Sequence, residues 1–301
     1  MTLGVVDVGT NSIHLMIGRV GSIGAFRVLH RQRTLVRLGD APPASRTLPR
    51  RAAQRAMTVL RRYAETLRRY DVDRIEAVAT SAVREATDGR AFVRAVRVTL
   101  SLPLRIISGR EEARLTYQGV RAVEHLQGAA LMVAIGGGSA QVMYGQGPAP
   151  RYLKSLPLGS ARLASAFIRH DPVRPIELQA MVRHVAHAWA PIGRSIRAFH
   201  RRQALGCSAM IQQLADAAGS QTLTDPMLTV LIERLARSRA VQRLRFRGLD
   251  PQRHDFALPT AIALRAWMDT CGILRVVATR GSLREGLAAA YGRQRSRGRL
   301  G

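Results

Sequence analysis

AALMVAIGGGSAQVMY, residues 129–144, is the stretch on which the reading of the chain turns. Seven mostly apolar residues, Ala129 to Ile135, run into Gly136, Gly137 and Gly138. After Ser139 a second run follows through Gln141, Val142, Met143 and Tyr144. An apolar segment of strand length that breaks into glycines and resumes predicts a buried strand, a tight turn and a returning strand. Glycines lack a Cβ, so the N–H groups of such a turn can approach an anion closely and point at it. The stretch is therefore expected to form a β-hairpin whose tip cradles phosphate. A plain flexible turn would satisfy the same letters, because a glycine-rich loop takes its meaning from its surroundings.

The chain opens in the same way. Leu3 to Val8 reads as a strand, Gly9-Thr10-Asn11 as a turn, Ser12 to Val20 as a returning strand and Phe26 to Arg33 as a third. The parallel predicts an internal duplication with one phosphate loop in each half. Turn chemistry alone explains Gly9 and Asn11. It does not explain Asp7 at the end of a buried strand, where an unpaired charge is unfavourable. A metal, or a cation bound to phosphate, would compensate it.

Elsewhere strands alternate with helices, which predicts an α/β fold. Helical spacing runs over Arg50 to Tyr70, and Asp88 is placed to cap a helix through Leu100. Ser108-Gly109-Arg110-Glu111-Glu112 opens another. Gly206-Cys207-Ser208-Ala209 is a third small-residue turn, a helix is expected over Asp225 to Arg245, and Gly281 to Gly286 starts a terminal helix. A boundary near His125 to Gly128 divides a first domain, 1–125, from a second, 126–301, with a basic tail from about residue 293.

Composition narrows the partners. The formal net charge is +27 and the sequence pI about 11.8, with Lys154 the only lysine among 47 basic residues. A positive field of this size concentrates polyanions: polyphosphate, phosphorylated nucleotides or, without specificity, nucleic acid. Aromatic content is 5%, so stacking platforms for single strands are not evident. No apolar run approaches the length of a membrane span, and the first residues carry no signal-peptide pattern. Cys207 and Cys271 are too few for a disulfide framework, so a cytoplasmic location is expected.

Glu111 and Glu112 follow a helix start, where acidic side chains complement the helix dipole. Either one could instead take a proton from water attacking a phosphate, as a general base. Arg84 and Arg110 flank small-residue loops and could balance phosphate charge. His184 and His187 have helical spacing for a metal but no convergent partners. His14 is expected in the core, and Cys207 is expected to fill a turn.

Seven motifs stand in order. They are Val6-Asp7-Val8-Gly9-Thr10-Asn11-Ser12, Ala79-Thr80-Ser81-Ala82-Val83-Arg84-Glu85-Ala86, Ile107-Ser108-Gly109-Arg110-Glu111-Glu112, Ile135-Gly136-Gly137-Gly138-Ser139, Ser155-Leu156-Pro157-Leu158-Gly159, Gly206-Cys207-Ser208 and Leu283-Arg284-Glu285-Gly286. Together they resemble the exopolyphosphatase and guanosine pentaphosphate phosphohydrolase family, in its short two-domain form. The resemblance implies an actin-like ATPase fold, two ribonuclease H-like domains with a cleft between them. It implies magnesium-dependent hydrolysis of a terminal phosphoanhydride of inorganic polyphosphate or guanosine pentaphosphate, with polyphosphate or guanosine penta- or tetraphosphate as the bound partner. Glu112 matches the catalytic glutamate. Asn11, Ser12, Arg84, Gly137, Gly138, Ser139, Gly206 and Ser208 match phosphate-binding positions. Asp7 and Glu111 are the candidates for the metal. A second copy of the chain is a further candidate partner; a membrane is not.

The chain departs from the family pattern beside its central glycines. The family usually carries Asp where Ala134 stands and Glu where Gln141 stands. No Asp or Glu occurs between Glu124 and Asp171. A hard cation prefers carboxylate and phosphate oxygens, so these changes should weaken metal binding or the positioning of water. Two functions follow: a phosphoanhydride hydrolase, or a catalytically weakened binder and sensor of the same ligands.

Overall fold

A computed structural model describes residues 1–21, 26–40, 45–197, 199 and 203–298. Its strands are β1 (Thr2–Val8), β2 (Ser12–Val20), β3 (Phe26–Leu35), β4 (Arg74–Ala79), β5 (Leu104–Ile106), β6 (Ala130–Ile135), β7 (Ala140–Gly145), β8 (Tyr152–Leu156), β9 (Gln203–Gly206), β10 (Thr222–Thr224) and β11 (Arg275–Ala278). They form two sheets, in the orders β3-β2-β1-β4-β5 and β10-β11-β9-β6-β7-β8.

The two sheets are built alike. In the first, β1 pairs antiparallel with β2 and parallel with β4, which continues parallel to β5. In the second, β6 pairs antiparallel with β7 and parallel with β9, which continues parallel to β11. An outer antiparallel strand, β3 or β8, completes each pattern, and β10 is an addition to the second sheet. Both sheets thus show one three-antiparallel, two-parallel order, the ribonuclease H-like unit repeated as in the actin-like ATPase fold. The duplication expected from the two hairpins is real at the level of topology.

The chain divides into Met1–His125 with Gly281–Gly301, and Leu126–Arg280. The sequence reading assigned everything after residue 125 to the second domain. The terminal helix, Leu283–Gly298, instead packs in the first unit, where Leu283, Leu287 and Ala288 join a core with Leu3, Val5, Met16 and Leu115. What was read as a basic tail continues this helix to Gly298, and the residues after it lie outside the described ones.

Each unit has its own apolar core, as chains of this length require. In the first, the helix Arg50–Arg69 covers the sheet with Ala56, Leu60, Tyr63 and Leu67. In the second, Trp189 and Trp267 are fully buried, and the Trp189 indole donates to the Ala263 carbonyl at 3.1 Å. The helix expected from Asp225 to Arg245 ends at Arg237, because Ser238 turns extended and its hydroxyl takes the Arg234 carbonyl. Asp88 caps nothing with its side chain; its carboxylate accepts the Leu48 N–H at 3.0 Å. No helix among the described residues is long and apolar enough to cross a membrane.

Candidate active site

The two hairpin tips share one backbone design. The Gly9 N–H donates to the Ser12 carbonyl at 3.0 Å, and the Gly136 N–H donates to the Ser139 carbonyl at 2.9 Å. In both, the carbonyls are then consumed by following chain. Thr10 O accepts from Gly39, and Asn11 O from Val36 and Arg37. Gly136 O accepts from Ser160, and Gly137 O from Ala161 and Arg162. The Arg162 guanidinium takes Gly138 O at 3.0 Å. The N–H groups of Thr10, Asn11, Gly137 and Gly138 meet no acceptor among the described residues. Carbonyls fixed from behind and donors left facing outward make a nest for an oxyanion. The helix Ser160–Phe167 contributes by bracing the glycine loop, since its first N–H groups are spent on loop carbonyls. Gly159 permits this approach: a Cβ there would lie 2.2 Å from Gly137 O.

In the first unit Asn11 and Ser12 are each 5% exposed, and Asn11 Oδ1 and Ser12 Oγ have no hydrogen-bond partner among the described residues. Buried polar atoms are normally satisfied, so two orphans at one loop tip mark a place for a ligand. Asp7 stands one residue before the end of the strand leading to that tip and pairs across the hairpin with His14. Burial pushes its carboxyl up to about 6, against the pull of Arg284 and with help from Glu285.

Glu112 lies in the first turn of the helix Gly109–Glu124, whose N-cap Ser108 hydroxyl accepts the Glu111 N–H. Glu112 Oε2 takes a hydrogen bond from Arg84 Nη1 at 3.0 Å, and the same nitrogen donates to the Ile107 carbonyl. Glu112 Oε1 accepts nothing among the described residues. Burial pushes the Glu112 carboxyl up to about 7, although Arg84 opposes the rise, and Asp7 and Glu85 add to it. Arg84 therefore orients a carboxylate whose second oxygen is open and whose proton affinity suits neutral pH.

The terminal helix brings Arg284 and Glu285, read in the sequence only as part of a motif, to β2 and β3. The Arg284 guanidinium, which can only donate, meets His14 Nδ1. Glu285, 8% exposed, pairs with Arg31 at 2.9 Å and accepts from the Ser282 hydroxyl. His14 is thus part of a polar cluster and not a plain core residue. The Arg284-Glu285 pair was visible as a motif, but nothing local linked it to β1 and β2.

Several expected site residues have structural roles. Glu111 turns to Arg105 at 2.8 Å and is not shown beside Asp7. Ser208 Oγ caps its helix by accepting the Ile211 N–H, and Gly206 lies in β9, paired with Val133. The Cys207 N–H donates to the Val133 carbonyl, as a turn-filling residue would. His184 packs on Phe167.

The equivalence of the tips places Ala134 where the first hairpin has Asp7, and Gln141 where it has His14. Gln141 is buried and donates to the Ser139 hydroxyl at 2.8 Å. No three His, Cys, Asp or Glu side chains converge among the described residues. A magnesium ion is commonly held by one or two carboxylates, with water and substrate phosphates filling the remaining positions. Only that sparse mode fits here. Asp7 accepts no hydrogen bond among the described residues, and Asn11 Oδ1, on the same hairpin, is a free oxygen donor. The second loop offers a cation no carboxylate.

Raised carboxyl pKa values make stability depend on pH. From about pH 4.5 to 7 the unfolded chain releases the Glu112 proton while the folded chain keeps it, so stability falls as pH rises through this range. The loss from Glu112 reaches up to about 3 kcal/mol and levels off above its folded pKa. Asp7 adds a smaller loss that ends near pH 6. The melting temperature is therefore expected to decline from pH 5 to 7.5, and the decline to be visibly shallower in Glu112→Gln. Parallel curves for the two proteins would contradict the burial of an ionisable Glu112.

The family model of the Ppx/GppA phosphatase family matches residues 16–291. A protein named putative exopolyphosphatase from Haemophilus influenzae is 27% identical over 287 residues, which is 94% of this chain and 88% of that protein. The crystal structure of an exopolyphosphatase from Cytophaga hutchinsonii superposes with a TM-score of 0.89 at 23% identity, covering 98% of both chains. That of the Aquifex aeolicus Ppx/GppA family member gives 0.82 at 21% identity, again over 98% of both. On a match that spans nearly its whole length, the chain belongs to the Ppx/GppA phosphatase family.

Proposed function

We propose that this phosphohydrolase removes the terminal phosphate of inorganic polyphosphate or guanosine pentaphosphate, with Glu112 as general base. The observation that carries the reading is the Glu112–Arg84 pair: a buried carboxylate poised near neutrality, oriented through one oxygen and open at the other. Glu112 Oε1 takes a proton from water as the water oxygen bonds to the terminal phosphorus. The bridging P–O bond breaks, and the shortened chain leaves on its own oxygen. Such reactions need positioning and charge neutralisation more than covalent help. The outward N–H groups of Thr10 and Asn11, with the Asn11 and Ser12 side chains, supply both for a phosphate at the first tip. The glycine loop has the same donors. Magnesium, held by Asp7 and Asn11 with substrate oxygens, would supply further charge neutralisation. The exopolyphosphatase names of the relatives and the net charge of +27 support a polyanionic substrate.

A second reading rests on Ala134 and Gln141. The second hairpin has no acid, and its buried amide already ties down Ser139. A protein so altered could bind these ligands as a sensor with little turnover. Phosphate release from long-chain polyphosphate and from guanosine pentaphosphate, each with magnesium, separates the readings. Release at rates above the uncatalysed background is the expected result. Ligand-induced thermal stabilisation without release would establish the sensor, and Ala134→Asp with Gln141→Glu should then raise turnover.

A further inference from the structure

The helix Arg50–Arg69 carries seven arginines and a single acid, Glu65. Its inward face, with Ala56, Leu60, Tyr63 and Leu67, packs on the first sheet. The outward face is sorted. At about 100° of turn per residue, Arg50, Arg61 and Arg68 fall in one row. Arg51, Arg55, Arg62 and Arg69 fall in a second row about 100° round the helix, and Gln54, Thr58 and Glu65 lie between the two. All of these are exposed, and none is aliphatic or aromatic. Arg55 reaches the Val36 carbonyl and Arg68 the Ala64 carbonyl. Arg50, Arg51, Arg61, Arg62 and Arg69 make no hydrogen bond or ion pair through their side chains among the described residues. A depression of about 560 Å³ follows the first row, with Arg50, Gln54, Thr58 and Arg61 on its helix side and Leu48 and Asp88 opposite.

This arrangement is unfavourable in water alone. Arg51 and Arg55 are like charges four residues apart. Arg50 and Arg51 sit in the first helical turn, which has no acid and no side-chain cap, so they oppose the helix dipole. An anion along the rows reverses each of these terms. The surface is a convex ridge, and its two rows bracket a line of polar side chains. The major groove of B-DNA is the complement of that pattern. It is about 12 Å wide, admits an α-helix, and is walled by phosphates and floored by base edges. Gln, Thr and Glu are side chains that pair with such edges. We propose that the outward face of this helix docks in the major groove of double-stranded DNA. The two arginine rows meet the phosphates of the two strands, one backbone lies in the depression beside Arg50 and Arg61, and Gln54, Thr58 and Glu65 face the bases. A lipid surface would need aliphatic side chains to insert, and the face has none. A single strand would need aromatic platforms, which are also missing. The major groove of duplex RNA is too deep and narrow for side chains to read. A free polyphosphate chain has no second strand for the second row and nothing for the middle one. The proposal does not depend on the phosphohydrolase reading.

Binding of a DNA duplex of about two helical turns to the full chain, measured across a salt series, tests this. Three proteins are compared: the wild type, Arg51→Gln/Arg62→Gln, and Arg183→Gln/Arg194→Gln. The last pair removes the same charge at the same spacing from exposed positions on the helix Pro175–Ile196 of the second unit. All four positions are solvent-facing, so each variant should fold, and melting curves verify it. Arg51→Gln/Arg62→Gln should weaken duplex binding roughly tenfold to a hundredfold and lower the slope of log K against log salt by about 2. The control pair should change the affinity by less than about threefold. Gln54→Ala/Thr58→Ala should leave the slope unchanged and shrink the difference in affinity between an A·T-rich and a G·C-rich duplex. Equal losses in the two arginine pairs would show a general surface field and overturn the docking face. Single-stranded DNA, duplex RNA, polyphosphate or anionic vesicles that bind as tightly as duplex DNA, and lose that affinity in Arg51→Gln/Arg62→Gln, would overturn the ligand assignment. Phosphate release from guanosine pentaphosphate should be unchanged in Arg51→Gln/Arg62→Gln. A parallel loss of release would put these arginines in substrate binding and overturn the DNA face, leaving the phosphohydrolase reading intact.

Discussion

Glu112→Gln is expected to lower phosphate release by about 10²–10⁴-fold, the usual contribution of a positioned general base, while leaving polyphosphate affinity within a few-fold of wild type. The substitution keeps the size of the side chain and an oxygen for Arg84, so the 3.0 Å contact and the N-terminal turn of its helix can survive. What disappears is the oxygen that takes the proton. The unaltered enzyme should show a matching pH profile. Its kcat/KM should rise with pH to a plateau above about 7, because burial holds the Glu112 proton that far. The Arg84→Ala variant should move this acid limb upward, since Arg84 is the main group opposing the effect of burial. A Glu112→Gln variant that hydrolyses at the wild-type rate would remove Glu112 from the reaction. One that loses binding together with turnover would make its role structural.

Much of this site was legible before any coordinates. The two hairpins could be read because each combines an apolar run with a turn that only small residues fit, a local pattern needing no knowledge of the rest of the chain. Their common topology followed from that likeness. Asp7 was conspicuous because a charge at the end of a buried strand asks for a partner. Long-range consequences were not legible. Glu111 and Glu112 are neighbours in sequence, yet the helix turns one toward Arg105 and the other toward Arg84. Ser208 and Asp88 show the limit of residue type as a guide. Ser208 satisfies a helix end where phosphate contact was expected, and Asp88 holds the Leu48 N–H where a helix cap was expected. The return of the terminal helix to the first unit was invisible for the same reason. Nothing local in residues 283–298 says against what the helix packs.

That return does leave one trace in the sequence, its glycines, and it yields the second large effect. Gly286→Ala is expected to destabilise the protein by more than about 3 kcal/mol, the upper end of the usual cost of overpacking. A Cβ at Gly286 would lie 1.8 Å from the Leu115 carbonyl oxygen, and one at Gly119 would lie 2.0 Å from the Ser282 carbonyl oxygen. At Gly281 it would meet the Val120 Cα at 2.5 Å. Backbone lies on the far side of each contact, so no rotamer change relieves it and one helix must move bodily. Gly4 is the contrast: a Cβ there meets the end of the Leu67 side chain, which can swing away. The helices that would separate, Gly109–Glu124 and Leu283–Gly298, carry Glu112 on one side and Arg284 and Glu285 on the other. Gly286→Ala should therefore lower the melting temperature by about 6–12 °C and reduce turnover as well, by withdrawing Arg284 from His14 and Asp7. Gly147→Ala, where an added Cβ meets nothing within 4 Å, should stay within about 0.5 kcal/mol of wild type. A Gly286→Ala protein that melts within a degree or two of wild type would mean that the terminal helix is not seated against Leu115. The cluster built on Asp7, His14, Arg284 and Glu285 would then lose its structural support.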